Sequence, residues 1–396
     1  PDGSSKYDLS VYPEDAVNTR ASVLKAKGED NYIAEKEISA DLIERIGAEN
    51  HFTFTEDWRM GQVENAAKLD KFIQEVKELT GSKKVNLYGL SHGGQLTAAY
   101  LYYYGAKGDV DRAIMDAPAI GGTQLVVDLF EGNIHFDVAT LIEYVEIGFR
   151  KEYEYEWLVE AFGFDRLNQA FNDIIHQYLL DIVINFGSVW DFVPLDKYEE
   201  FKAKYLDPVE NAELIAKSDE MHYNAMAHMS EGLKRAQSAG TRIAIVANTG
   251  HDIGTSTGVN SDYVIDVHSS SGAYCAPFGE RFPADCQKQN TVCGDPTHWH
   301  ISPERDIDAS CAYLPENTWF VNGQFHGMCP WDRYTRNFYL TFFFTDRITD
   351  VYSDKEFPQF DLGQNPANGL YVKFDRSPSG FHTACLLYTS PSPRDS

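Results

Sequence analysis

The chain has 396 residues, of which 43% are hydrophobic, and a formal net charge of −26. That length suits one large domain or two ordinary ones with a full core. The charge argues against nucleic acid or an anionic membrane held by bulk electrostatics, and no run of 18 apolar residues provides a membrane helix.

The chain begins Pro1-Asp2-Gly3 without a methionine, so its true start is expected to be missing. Residues 1–50 are polar, with a helical stretch near Ala34–Ile46. Phe52-Thr53-Phe54 reads as a strand leading into Asp57-Trp58-Arg59. Val63–Thr80 predicts a helix, because Ala66, Leu69, Phe72, Ile73 and Val76 recur at helical spacing; Gly81-Ser82 ends it. Val85–Tyr88 is a strand, and Gln95–Leu101 is helical. Arg112–Ala117 is the next strand, closed by Pro118. This alternation predicts an α/β fold with a mostly parallel sheet and crossover helices. From about residue 124 to 238 it stops. Helical patterns over Phe136–Arg150, Tyr153–Phe162, Leu167–Val183, Lys197–Tyr205 and Ala212–Ser238, rich in aromatics, predict an inserted helical cap. The sheet resumes at Arg242–Ala247, a long Gly/Ser/Asp-rich loop covers Asn248–Ser302, Trp319–Val321 is the last expected strand, and Trp331–Phe344 is helical.

The expected organisation is therefore the first part of the core at 1–123, a cap at 124–238 and the rest of the core at 239–384. Residues 385–396, Cys385-Leu386-Leu387-Tyr388-Thr389-Ser390-Pro391-Ser392-Pro393-Arg394-Asp395-Ser396, resemble a translated frame of a transposon-type sequencing adapter and are set aside from fold reasoning. The remaining cysteines, Cys275, Cys286, Cys293, Cys311 and Cys329, cluster in the last third. Such clustering predicts one or two disulfides and an extracellular setting.

The chemistry concentrates in Gly89-Leu90-Ser91-His92-Gly93, a G-x-S-x-G sequence between strand and helix. This is the pattern of a nucleophile elbow, in which Ser91 sits on a sharp turn that only small neighbours allow. The helix start, with the His92 backbone N–H, offers a donor to a developing oxyanion. A serine needs a base and an acid, and in such sheets they follow in the order serine, acid, histidine. Asp262 fits the acid in a polar loop after the 242–247 strand, with Asp252 and Asp266 as competitors. His326, in Asn322-Gly323-Gln324-Phe325-His326-Gly327 beyond the last expected strand, fits the base. His298 and His300 form an H-x-H beside Asp295 but show no further ligand set in sequence, so a plain loop is the preferred reading and no metal or cofactor is assigned.

Three stretches, Asp57-Trp58-Arg59, Gly89-Leu90-Ser91-His92-Gly93-Gly94 and Ala117-Pro118-Ala119-Ile120-Gly121-Gly122, occur in an order that resembles the lecithin:cholesterol acyltransferase-like family of α/β-hydrolases. The acid loop Asp262-Tyr263-Val264-Ile265-Asp266, the pair His326-Gly327 and the segment Phe186–Pro194 extend the resemblance, which spans roughly Phe52 to Asp332. It implies an α/β-hydrolase fold with an inserted cap, a Ser91–Asp262–His326 triad, and Trp190 of the cap at the substrate. It also implies a second oxyanion donor on a loop near the first strands. No such loop precedes Phe52, so those strands and that donor are expected in the missing N-terminal part.

The expected activity is ester hydrolysis on a lipid-like or other hydrophobic substrate through an acyl-enzyme, with transient lipid-surface contact through the cap. O-acyl transfer to an alcohol uses the same intermediate. A catalytically inactive binding protein on the same fold, and a peptidase or polysaccharide esterase, are the other readings. Oligomeric state is not legible.

Overall fold

The computed structural model describes residues 15–28, 37–139, 141–142, 159, 161–256, 258–327, 332–361 and 384–388. Its centre is a parallel sheet built from short apolar runs: β1 (His51–Phe54), β2 (Val85–Leu90), β3 (Val110–Asp116), β4 (Arg242–Thr249), β5 (Thr318–Asn322), β6 (Phe360–Asp361) and β7 (Ala384–Tyr388). The order across the sheet is β1-β7-β2-β3-β4-β5-β6, and every neighbouring pair is parallel. The chain is thus α/β, as its alternation predicts.

Strands in a parallel sheet covered on both faces read as continuous apolar runs, and alternate residues face opposite sides. Leu87, Ala113, Met115, Ile243 and Ile245 belong to one buried cluster, with helices Gln62–Thr80, His92–Tyr104 and Met229–Ser238. Tyr88, Ile114, Ala244 and Val246 belong to the other, with helices Glu37–Ile46 and Arg333–Phe344. The first layer is tight. A Cβ on Gly232 would collide with the Tyr102 ring, and one on Gly105 would lie 2.6 Å from Ala236 Cβ. The helix Met229–Ser238, grouped in sequence with the cap, therefore packs on the sheet.

The rest of the expected cap has its own core. Val126, Phe130, Trp190, Val193, Tyr198, Phe201 and Leu214 are buried together, around Phe130, whose ring lies 5.0 Å from those of Trp190 and Phe201. The expected helix Leu167–Val183 forms as Phe164–Ile174, a π-helical turn Ile175–Leu179 and Leu180–Val183, and Lys197–Tyr205 forms within Leu195–Tyr205. Ala212–Ser238 is broken by a π-helical turn at Glu220–Ala225 and a tight turn at Met226–His228. Nearly all of 143–160, covering most of two expected cap helices, lies outside the described residues.

Two strands carry no strong signal in sequence. β6 has two residues only. β7 consists of the end of the expected core and the start of the adapter-like stretch; it lies between β1 and β2, with Cys385 opposite both His51 and Asn86. Cys275, Cys286, Cys293 and Cys311 are free thiols, so the expected disulfides do not form among the described residues. Their sulfurs have other neighbours: Cys311 Sγ accepts from the Tyr274 amide at 3.0 Å, and Cys293 Sγ faces His298.

One buried charge ties the layers together. Arg112 of β3 is almost fully buried. Its Nη1 donates to the carbonyls of Phe342 and Thr345, and its Nη2 donates to Asp346 Oδ1 at 3.1 Å. The guanidinium thus satisfies carbonyls that the end of helix Arg333–Phe344 would otherwise leave unpaired. Arg112→Met is expected to destabilise the fold by about 1–3 kcal/mol, because it strands those buried acceptors; urea unfolding measures it as a lowered midpoint at unchanged slope.

Candidate active site

Ser91 joins β2 to the helix His92–Tyr104 with φ 56° and ψ −118°. A non-glycine residue in this region costs on the order of 1–3 kcal/mol and persists only where its surroundings impose it. Here they do. The Ser91 amide donates to the Asp116 carbonyl at the end of β3 at 2.8 Å. A Cβ on Gly89 would collide with the Gly93 carbonyl and come within 2.5 Å of Thr97 Oγ1, and one on Gly94 would lie 2.6 Å from Pro118 Cβ. Strand, helix and the Pro118 turn approach one another so closely that glycine is required at both positions. Ser91 itself stays half-exposed.

The acid and base come from the next strands of the sheet. After β4, a small antiparallel pair, His251–Asp252 with Asn260–Ser261, turns the chain back. Thr249 Oγ1 and the Gly250 amide both donate to Asn260 Oδ1, at 2.8 and 3.0 Å. The Gly323 amide donates to the Thr249 carbonyl at 2.7 Å, fastening the ends of β4 and β5 to each other. The result brings Asp262 to His326. His326 Nδ1 lies 2.8 Å from Asp262 Oδ2, and its backbone amide donates to the Asp262 carbonyl at 2.8 Å. The other carboxylate oxygen accepts from the amides of Val264 at 3.1 Å and Ile265 at 2.7 Å. The turn that presents these amides needs Tyr263 at φ 85°. A Cβ on Gly327 would lie 4.0 Å from Leu90 Cδ2, so the His326 loop rests against the elbow.

The two competing acids have other work. Asp252 accepts from the amides of Ile253, Gly258 and Val259 within its own loop. Asp266 caps the helix Val267–Ser271 and accepts from the Gln124 amide.

Burial alone would depress the His326 pKa, but the Asp262 carboxylate, its hydrogen bond and the more distant Asp116 outweigh it and raise the pKa above the ordinary 6.5. With its Nδ1 proton shared with a carboxylate, the ring keeps Nε2 as the basic nitrogen.

His92, expected to act through its backbone, is the first residue of the helix, where N–H groups have no intrahelical acceptor. Its side chain adds something the sequence did not single out. Nδ1 lies 2.8 Å from Glu56 Oε1, and both groups are largely buried. Burial opposes a charge on His92, but Glu56 overcomes it and raises the imidazole pKa. Glu56 adjoins Asp57-Trp58-Arg59, and that position was the only clue to it in sequence.

The motifs around the elbow clamp the cap. Arg59 forms a fork on Asp57, with contacts of 2.8 and 2.7 Å, and Trp58 packs edge-on to Phe186 at 5.2 Å. Asp191 Oδ2 accepts from the Gln62 amide at 2.6 Å, which places a cap carboxylate at the start of helix Gln62–Thr80. Burial pushes the Asp191 pKa up to about 7. Gly122, at φ 93°, lies against the Phe192 carbonyl, and a Cβ there would come within 2.9 Å of the Pro194 nitrogen.

Trp190, expected at the substrate, lies elsewhere. It is fully buried, its Nε1 donates to the Ile184 carbonyl at 2.8 Å, and it stacks within the cap's own core. An indole with its polar edge satisfied and its faces covered is a packing residue in this conformation. Among the other histidines, His222 lies between the carbonyls of Ser218 and Val193 and stacks on Tyr198. His298 and His300, by contrast, meet Cys293. His382 falls outside the described residues.

Comparison of the chain with protein-family models, with characterised proteins and with solved structures finds no match.

The His326 environment sets a pH dependence. If His326 is the base it works only when neutral, so the rate falls as pH drops through its raised pKa. For a soluble ester, kcat/KM is expected to have an acid limb with a midpoint above about 6.5. Asp262→Asn removes the main raising influence and leaves burial against the distant Asp116, so the midpoint moves down while the rate falls by about 10⁴-fold. A pH–rate profile of both proteins checks this.

Proposed function

We propose that this chain is a serine ester hydrolase of the α/β-hydrolase type, with Ser91 as nucleophile, His326 as base and Asp262 as its orienting acid. One observation carries the reading. The strained Ser91 elbow and the 2.8 Å His326–Asp262 pair follow β2, β4 and β5 of one parallel sheet, at the strands' carboxyl ends. Open α/β sheets bind their ligands there. The order serine, acid, histidine and the cap inserted after β3 agree with the lecithin:cholesterol acyltransferase-like family, which the three elbow motifs resemble.

In this mechanism Ser91 Oγ attacks the ester carbonyl carbon while its proton passes to His326 Nε2. The carbonyl π-electrons move to oxygen, and the helix N-terminus at His92 stabilises that charge. The tetrahedral adduct collapses, the C–O bond to the alcohol breaks, and His326 returns the proton to the leaving alkoxide. Water then attacks the acyl-enzyme carbonyl with His326 again as base, and collapse releases the carboxylic acid and Ser91. Asp262 holds the imidazole and stabilises its cation without itself becoming protonated.

The cap favours a hydrophobic ester. Along the segment Phe164–Val183, Phe164, Ile174, Tyr178 and Ile182 are exposed, the last three on one face at four-residue spacing. An apolar stripe of this kind suits transient contact with a lipid surface.

Hydrolysis of p-nitrophenyl esters tests the reading. Ser91→Ala and His326→Ala are each expected to lower kcat by 10³-fold or more. Undiminished turnover by either variant would overturn the assignment. Ile182→Asp with Tyr178→Asp is expected to lower the rate on vesicle-borne esters while sparing soluble ones. Product analysis with a lipid alcohol present separates hydrolysis from acyl transfer.

A further inference from the structure

A second cluster of reactive side chains lies in the long loop between the acid and the base. Between the antiparallel pair Tyr274–Cys275 with Ile307–Asp308 the chain has no helix and no longer strand; an Ile301–Asp308 bridge and backbone bonds such as Phe282 to Arg305 and Cys293 to Ser310 tie it locally. Apart from a small buried cluster of Ala276, Phe282 and Ile301, a loop of this length buries little apolar surface, so a further cross-link would add to its order. No disulfide provides it among the described residues. Within the loop Cys293, His298 and His300 converge, with one potential ligand atom from each all within 4.8 Å of one another.

We propose that Cys293, His298 and His300 bind a zinc ion that pins this loop. Three features beyond proximity point to a metal. The first is geometry. Cys293 Sγ lies 3.7 Å from His298 Nδ1. Tetrahedral zinc, with bonds of about 2.3 Å to sulfur and about 2.05 Å to nitrogen, places those two atoms about 3.6 Å apart.

The second is the tautomer of His300. This ring is fully buried. Its Nδ1 lies 2.8 Å from Gln359 Oε1. The Gln359 amide cannot be flipped, because Nε2 donates to the carbonyls of Pro315 at 2.7 Å and Thr318 at 3.0 Å. Gln359 Oε1 is therefore an acceptor and His300 Nδ1 carries the proton, so Nε2 bears the lone pair; it now faces the Tyr352 hydroxyl at 3.3 Å, a contact that a metal there would replace. Ligating histidines are oriented in this way by a partner behind the ring.

The third is charge. Glu316 Oε1 lies 2.9 Å from His298 Nδ1 and Asp295 Oδ2 3.7 Å from Nε2, so ligation through Nδ1 would replace the Glu316 contact and leave Asp295 as the partner behind the ring. Opposing these carboxylates is Lys288, whose ammonium binds the carbonyls of Asp295 and His298 and closes the turn that carries the ligands. One thiolate and two imidazoles suit zinc and exclude magnesium or calcium as the preferred ion. Water completes the fourth position. Tyr352, whose hydroxyl lies 3.3 Å from His300 Nε2, and Gln359 belong to the segment before β6, so the ion would fasten the loop to the edge of the sheet. The site is separate from the Ser91 chemistry and stands whether or not that assignment holds.

The test uses the whole chain, stripped with a chelator and reloaded with Zn²⁺ or Co²⁺. After dialysis, elemental analysis is expected to find about one equivalent of zinc. The cobalt form is expected to show a near-ultraviolet thiolate-to-cobalt absorption that Cys293→Ser abolishes and Cys286→Ser leaves intact. Gln359→Leu keeps all three ligands and is expected to weaken affinity about 10–100-fold, so the proposal stays testable even if Cys293→Ser fails to fold. Three results would overturn it: no retained zinc in the wild type, a cobalt form without the thiolate absorption, or wild-type zinc content in Cys293→Ser.

Discussion

The site depends on a backbone constraint at one residue. Ser91 is held at a positive φ, which no side chain favours, because three chain segments meet there with no room for a Cβ on Gly89 or Gly94. The cohesion of the sheet maintains that strain. β2 and β3 pair without interruption from Asn86–Arg112 to Leu90–Asp116, the Ser91 amide is bound to the last carbonyl of β3, and the Ala117 amide is bound in turn to Val246 of β4. The elbow leaves β2, and the acid and base loops leave β4 and β5, which continue the same parallel register beyond β3. Bonds between the Gly323 amide and Thr249, and between the His326 amide and Asp262, carry the same register out to the loop tips. The geometry of the candidate triad is thus a consequence of parallel strand register, with little left to the loops themselves.

The expected cap region is attached to that frame by polar and glycine contacts at its margins. Asp191 reaches back to the first turn of helix Gln62–Thr80, Gly122 lies under the Phe192 carbonyl, and Gly187 approaches Gly61 so closely that a Cβ would lie 2.8 Å from the Gly61 nitrogen. These contacts converge on the segment Phe186–Pro194, beside His92 and its partner Glu56. A buried carboxylate with its pKa near 7 and a histidine whose pKa Glu56 raises therefore lie where the helical insertion meets the elbow.

Much of this was legible in sequence, because the relevant signals are local. Val85–Tyr88, Arg112–Ala117, Arg242–Ala247 and Trp319–Val321 are apolar runs of strand length, and each forms a strand within two residues of its expected start. Gly89 and Ser91 marked the elbow, and chain order pointed to Asp262 and His326, which the fold brings into contact. What was missed depends on long-range packing. An aromatic at a cap position looks the same whether it lines a pocket or fills a core, and Trp190 fills a core. Helix Met229–Ser238 reads as cap by continuity, yet Gly232 and Ala236 dock it on helix His92–Tyr104. Cys293 precedes the His298-x-His300 pair by five residues, a local spacing that was not read as a third candidate ligand; the fold brings the three together. β7 joins β1 to β2 from the far end of the chain, a pairing that no local pattern announces.

The central claim is that Ser91 is a nucleophile activated by His326. Labelling with a fluorophosphonate, followed by peptide mapping, tests it most directly. The account predicts a single adduct on Ser91, formed faster as pH rises through the His326 titration and absent in Ser91→Ala. An adduct at another residue, or none on a folded protein, would contradict it.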